Sequence, residues 1–175
     1  DIVEAYRQYG FYILESVFNL AEIVELRAGL DDIIDRLPTG PDSGVDHRGR
    51  PALGLGLPVS PFHWSKPLGD PFGGADGMER APVKMIEGKA AAVLPDEIVF
   101  IVRAPLQFSD AALRAYGHPG LLAAAEAING EDFGPFSEGF VIKQPGAGAA
   151  FAWHQDGMTH WDCQGWDPLI HGFNF

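Results

Sequence analysis

The chain is poor in cysteine, in basic charge and in long apolar runs, and each shortage excludes a class of protein. One cysteine, Cys163, stands among 175 residues. A disulfide framework and a cysteine-rich zinc site are therefore excluded, and a reducing, cytoplasmic setting is expected. Lys and Arg total 12 against 24 Asp and Glu, for a net charge of -12. Gripping nucleic acid or an anionic membrane needs a basic face to neutralise phosphates, so neither partner is expected. No apolar run reaches the roughly 18 residues of a membrane helix, and no signal-peptide pattern opens the chain. What is present is a globular balance, 46% apolar and 21% charged. Such a chain can bury a core, and residues 1-175 read as a single domain.

Local signals order the first third. Ile2 to Tyr9 is a short amphipathic segment closed by Gly10. Phe11 to Phe18 is rich in aromatic and branched residues and predicts a strand. Asn19 is placed to cap a helix, with Glu22 three residues on as its capping-box partner. Ile23, Leu26, Leu30, Ile33, Ile34 and Leu37 follow at helical spacing, and Pro38 ends the run. Residues 38-82 then hold nine Gly and eight Pro among 45. That density of breakers predicts a long loop with few regular elements, either a surface insertion or a lid over a site. Phe62, His63 and Trp64 lie within it as aromatics that can line a pocket.

Pro82 to Glu87 and Ile98 to Val102 predict strands. Ser109 can cap a short helix ending near Tyr116. Pro119 at a first turn and Gly130 at an end bound another helix over roughly 119-128. Phe140 to Gln144 predicts a strand stopped by Pro145-Gly146. Ala150 to Asp156 predicts another, and His171 to Phe175 begins a third. Early helices followed by strands and turns suggest α+β, with an antiparallel sandwich or barrel in the second half.

Chemistry concentrates in residues 151-175, which hold three of the six histidines and three of the four tryptophans. The central string is Trp153-His154-Gln155-Asp156-Gly157. On a strand, residues two apart share a face. An imidazole nitrogen of His154 and a carboxylate oxygen of Asp156 would then converge. That supplies two of the three ligands in the two-His-one-carboxylate face of non-haem Fe(II) oxygenases. His160 and Asp162 repeat the spacing, but in a stretch rich in Asp, Gln, Gly and Pro that reads as a loop. The apolar strand before His154 favours the first pair.

Three strings together resemble the phytanoyl-CoA dioxygenase family: Phe140-Val141-Ile142-Lys143-Gln144-Pro145-Gly146, the Trp153–Gly157 string, and His171-Gly172-Phe173-Asn174-Phe175. Tyr9 to Leu14 ahead of the capped helix, and Pro105 to Asp110 ahead of the later ones, are similar to that family as well. The resemblance spans most of the chain outside the Pro/Gly-rich loop. It implies a double-stranded β-helix, a cupin-like jelly roll flanked by N-terminal helices. It also implies Fe(II) as cofactor, 2-oxoglutarate as co-substrate, O2, and hydroxylation of an unactivated C–H bond in a small organic substrate.

By this resemblance His154 and Asp156 match the first two iron ligands. Ile142, Asn174 and Thr159 match positions near the co-substrate, and Trp161 a position near the substrate. The family's third ligand, a histidine, and its 2-oxoglutarate-binding arginine lie further along than Phe175. The chain therefore reads as the N-terminal part of such an oxygenase domain, C-terminally truncated and inactive by itself. Asp156 favours hydroxylation, since related halogenases carry a small residue there. The competing reading is a non-catalytic cupin-like module binding a metal or ligand. A hydrolase is disfavoured, because no G-x-S-x-G nucleophile motif occurs.

Overall fold

The computed structural model describes residues 1–65, 96–134, 138–145 and 174–175. Four α-helices, a short 3-10 turn at Pro105–Gln107 and three strands form within them. The chain divides into two compact units. Among the described residues, the first holds 1–31, 106–134 and 174–175, and the second holds 32–65, 96–105 and 138–145.

Local capping builds the first unit. Helix α1 (Ile2–Tyr9) starts where the Asp1 carboxylate accepts the Val3 N–H at 2.8 Å. It ends at Gly10, whose φ of 78° is a left-handed conformation that glycine adopts without steric cost. Helix α2 (Leu20–Asp35) opens with the expected reciprocal box. Asn19 N–H donates to Glu22 Oε2 at 2.8 Å, and Glu22 N–H donates to Asn19 Oδ1 at 3.0 Å. Helix α3 (Asp110–Tyr116) is capped by Ser109, whose Oγ accepts the Ala112 N–H at 3.1 Å. Helix α4 (Pro119–Asn129) begins with proline, which has no N–H to leave unsatisfied, and closes at Gly130. Leu121, Ala124 and Ala125 form its buried face, spaced three and four apart as one helical stripe requires. α1 packs on α4, and Arg114 of α3 pairs with Glu25 of α2 at 2.7 Å.

The second unit is built on an antiparallel sheet of order β1-β2-β3, with β1 Phe62–Ser65, β2 Ile98–Arg103 and β3 Gly139–Val141. β2 is central, so both its edges are hydrogen-bonded, and Ile98, Val99, Phe100 and Val102 are buried. Phe62 pairs with Val102, and Val102 with Phe140. A bulge between His63 and Trp64 shifts the β1 register. Among the described residues this sheet is open.

Three expectations are corrected. Phe11 to Phe18 is not a strand. It is irregular and mostly exposed, with Ile13 at 71%, and turns at Ser16, whose φ is 56°. Strand propensity has effect only where a partner strand and a covered face exist, and this stretch acquires neither. Within the 38–82 loop, by contrast, Phe62–Ser65 becomes a strand because β2 supplies its partner. Gln144 lies beyond the end of β3, although the Ile142 N–H still reaches the Phe100 carbonyl at 2.8 Å. The expected Ile98–Val102 strand and the helices after Ser109 and Pro119 form, each within a residue of the anticipated span. Pro82 to Glu87, Ala150 to Asp156 and His171 to Phe173 lie outside the described residues. Asn174 and Phe175 have no regular structure.

Candidate functional site

Of the residues singled out for chemistry, His154, Asp156, Thr159 and Trp161 lie outside the described residues, as do His160 and Asp162. Ile142 and Asn174 lie within them. Asn174 is exposed. Ile142 is half-buried immediately after β3, and its neighbours alternate. Phe140, Ile142 and Gln144 are half-buried, while Gly139, Val141, Lys143 and Pro145 are exposed. That period of two is the signature of extended backbone with one covered side. The register sets Phe140 beside Val102, and the Ile142 hydrogen bond sets it beside Phe100. Phe100 and Val102 are fully buried, so Ile142 joins an apolar face.

A charged cluster that sequence reasoning did not find lies in the second unit. The Asp46 side chain is wholly buried. Its Oδ1 accepts the N–H groups of Arg48 and Arg50 at 2.8 and 2.9 Å, and its Oδ2 accepts Arg50 Nε at 2.6 Å. Arg50 also donates through Nη2 to Asp35 Oδ2 at 2.8 Å and to the Asp35 carbonyl at 3.2 Å. Arg48 Nη2 lies 2.7 Å, and His47 Nε2 3.3 Å, from Asp35 Oδ1. Burial by itself would raise the Asp46 carboxyl pKa. The N–H and guanidinium of Arg50 and the N–H of Arg48 outweigh it and hold the pKa below the usual carboxylate value. Arg50 is shifted the opposite way by its hydrogen bonds to Asp46 and Asp35.

Every carboxylate oxygen in this cluster is already engaged. The arrangement therefore clasps the 46–50 turn to the C-terminal end of α2 and offers no ligand position. Its signal in the sequence is Asp46-His47-Arg48-Gly49-Arg50, a charged turn around a glycine. The essential partner, Asp35, is 15 residues from Arg50.

His63 is the described histidine with a perturbed environment. Partial burial and then the charge of Arg103 lower its pKa, which favours the neutral imidazole. Its ring lies 6.5 Å from that of Phe100. Among the described residues no group of three or more His, Cys, Asp or Glu side chains is placed to hold a metal ion. Among the described residues no helix is long and apolar enough to cross a membrane. No protein-family model, no curated protein and no solved structure matches this chain.

Proposed function

We propose that this chain is part of an Fe(II)- and 2-oxoglutarate-dependent dioxygenase of the phytanoyl-CoA dioxygenase type, working in the cytoplasm on a small organic substrate. The observation that carries the reading is the string Trp153-His154-Gln155-Asp156-Gly157, downstream of the Phe140–Pro145 segment. Support from the fold is limited to that segment: Ile142 is hydrogen-bonded to central β2 and lies on an apolar face. Such a face suits the wall of a dry cavity.

The donor chemistry fits the metal. A neutral imidazole and a carboxylate are the ligand types that non-haem Fe(II) takes from protein. His154 and Asp156 would hold the ion. Fe(II) with 2-oxoglutarate would supply oxidative decarboxylation coupled to C–H hydroxylation, the step no side chain performs alone. Ile142 would exclude water from the co-substrate, and Thr159 and Asn174 would offer it hydrogen bonds. Trp161 would provide an apolar surface for the substrate.

The test has two readouts. Fe(II) added under argon should broaden the imidazole resonances of His154 before those of the other histidines, and His154→Ala or Asp156→Ala should remove site-specific binding. The protein from its whole reading frame should then release succinate from 2-oxoglutarate only with Fe(II). Site-specific binding without succinate would establish the cupin-like binding module instead. Indiscriminate broadening of all histidines would reject both.

A further inference from the structure

The second unit has four arginines among its described residues, and three are committed. Arg36 pairs with Asp32, Arg48 with Asp35, and Arg50 with Asp35 and Asp46. Arg103, at the end of β2, is exposed, and its guanidinium has no hydrogen bond or ion pair among the described residues. Arg103 is thus the one arginine of this unit, among the described residues, that no carboxylate holds.

Its surroundings are specific. Arg103 and Ile101 are two apart on β2 and share one face. On that face Ile101 pairs with His63 on one side and Val141 on the other, while Arg103 pairs with Gly139. Gly139 presents no side chain, and a Cβ there would crowd the Val102 carbonyl at 3.2 Å and come into ordinary contact with the Ile101 side chain at 3.6 Å. Among the described residues the guanidinium therefore stands beside the notch left by the missing side chain at position 139, next to half-buried Ile101 and to Val141, which is 43% exposed. The next residue, Ala104, has φ of 53°, a left-handed conformation uncommon for a residue with a side chain. Strained backbone of this kind is concentrated at binding sites. The face is the opposite one from that of Ile142, so this site is independent of the function proposed above.

We propose that the notch between Arg103, Ile101, Gly139 and Val141 binds the carboxylate of a small organic acid with an apolar body. The planar guanidinium matches a carboxylate through paired N–H donors, and the apolar floor takes the hydrocarbon. His63 reports occupancy, because Arg103 already acts on its charge.

Isovalerate is the probe, titrated into the whole 175-residue chain at constant ionic strength, with the His63 pKa followed by proton NMR. The expected result is a saturable rise in that pKa, since a bound anion offsets the guanidinium charge. Arg103→Gln should raise the His63 pKa without ligand and abolish the response to isovalerate, and Arg103→Lys should retain part of it. The position is exposed, so circular dichroism should show both variants folded. Acetate should act more weakly, for lack of a hydrocarbon body. A response that is absent, or that persists unchanged in Arg103→Gln, overturns the proposal. Phosphate acting as strongly as isovalerate overturns it too, because the apolar floor would then have no role.

Discussion

Gly29 of α2 lies directly against the Oγ of Ser109, the cap of α3: a Cβ at position 29 would occupy the space of that hydroxyl. Two helices 80 positions apart in sequence are thereby made mutually dependent, and this reverses an ordinary expectation. In an exposed helix interior, Gly→Ala stabilises by about 1 kcal/mol. Here Gly29→Ala should instead destabilise by about 1–3 kcal/mol, because overpacking and a lost cap each cost about 1–2 kcal/mol and outweigh the gain in helix propensity. Ser109→Gly removes the hydroxyl and forfeits only a few tenths of a kcal/mol as a cap. In that background Gly29→Ala should become stabilising. Urea denaturation of the four proteins in the cycle measures the reversal.

The clasp around Asp46 predicts a pH dependence. Its folded-state pKa lies below the ordinary value, so its contribution is complete above the unfolded carboxylate pKa of about 4. The contribution is lost as pH falls through the lower, folded value. Asp46→Asn should lower the thermal midpoint at neutral pH and flatten the acid limb of the stability profile. Parallel acid limbs in the two proteins would show that the carboxylate is not linked to folding.

His118 holds the start of α4 through Nδ1, which accepts the Gly120 N–H at 3.1 Å. Its ring sits edge-on to Phe18 at 4.8 Å, and its Nε2 lies 3.8 Å from Glu22 Oε1, on the residue whose other oxygen completes the α2 capping box. The acceptor role fixes the proton on Nε2 in the neutral ring. His118→Ala should cost about 1 kcal/mol, the usual value of an N-cap, while His118→Asn should recover most of it. Chemical denaturation gives the ranking, and the nitrogen shifts of the imidazole identify the tautomer.

Phe100 and Ile13 form a contrasting pair. Both are large apolar residues in runs of β-forming type, yet Phe100 is fully buried on the central strand and Ile13 is 71% exposed. Phe100→Ala should destabilise by about 3–5 kcal/mol. Ile13→Ala should stay within about 0.5 kcal/mol, as surface positions do. Equal losses would mean that the 11–18 stretch is covered in solution.

The helix boundaries were legible because the interactions that set them span two to four residues. Asn19 with Glu22, Ser109 before Ala112, and Gly130 after Asn129 depend on backbone geometry that neighbouring side chains dictate. Of the candidate site, the sequence supplies the spacing of His154 and Asp156, which lie outside the described residues. The identity of Ile142 was readable in the same way, but not the apolar company of Phe100 and Val102 that gives it a role.

By itself, then, the amino-acid order decided where the described helices start and stop, and its single cysteine leaves no internal disulfide to form. Ile98–Val102 was legible as a strand from its composition, but tertiary structure decided between two other apolar runs. Phe62–Ser65 acquired a partner in β2 although it lies among prolines and glycines, whereas Phe11–Phe18 acquired none despite its better composition. It also decided that Asp46 is buried while Arg103 has no ion-pair partner among the described residues. Strand pairing and ion pairing join residues far apart in the chain, so their energies depend on which surfaces meet, and no local pattern encodes that.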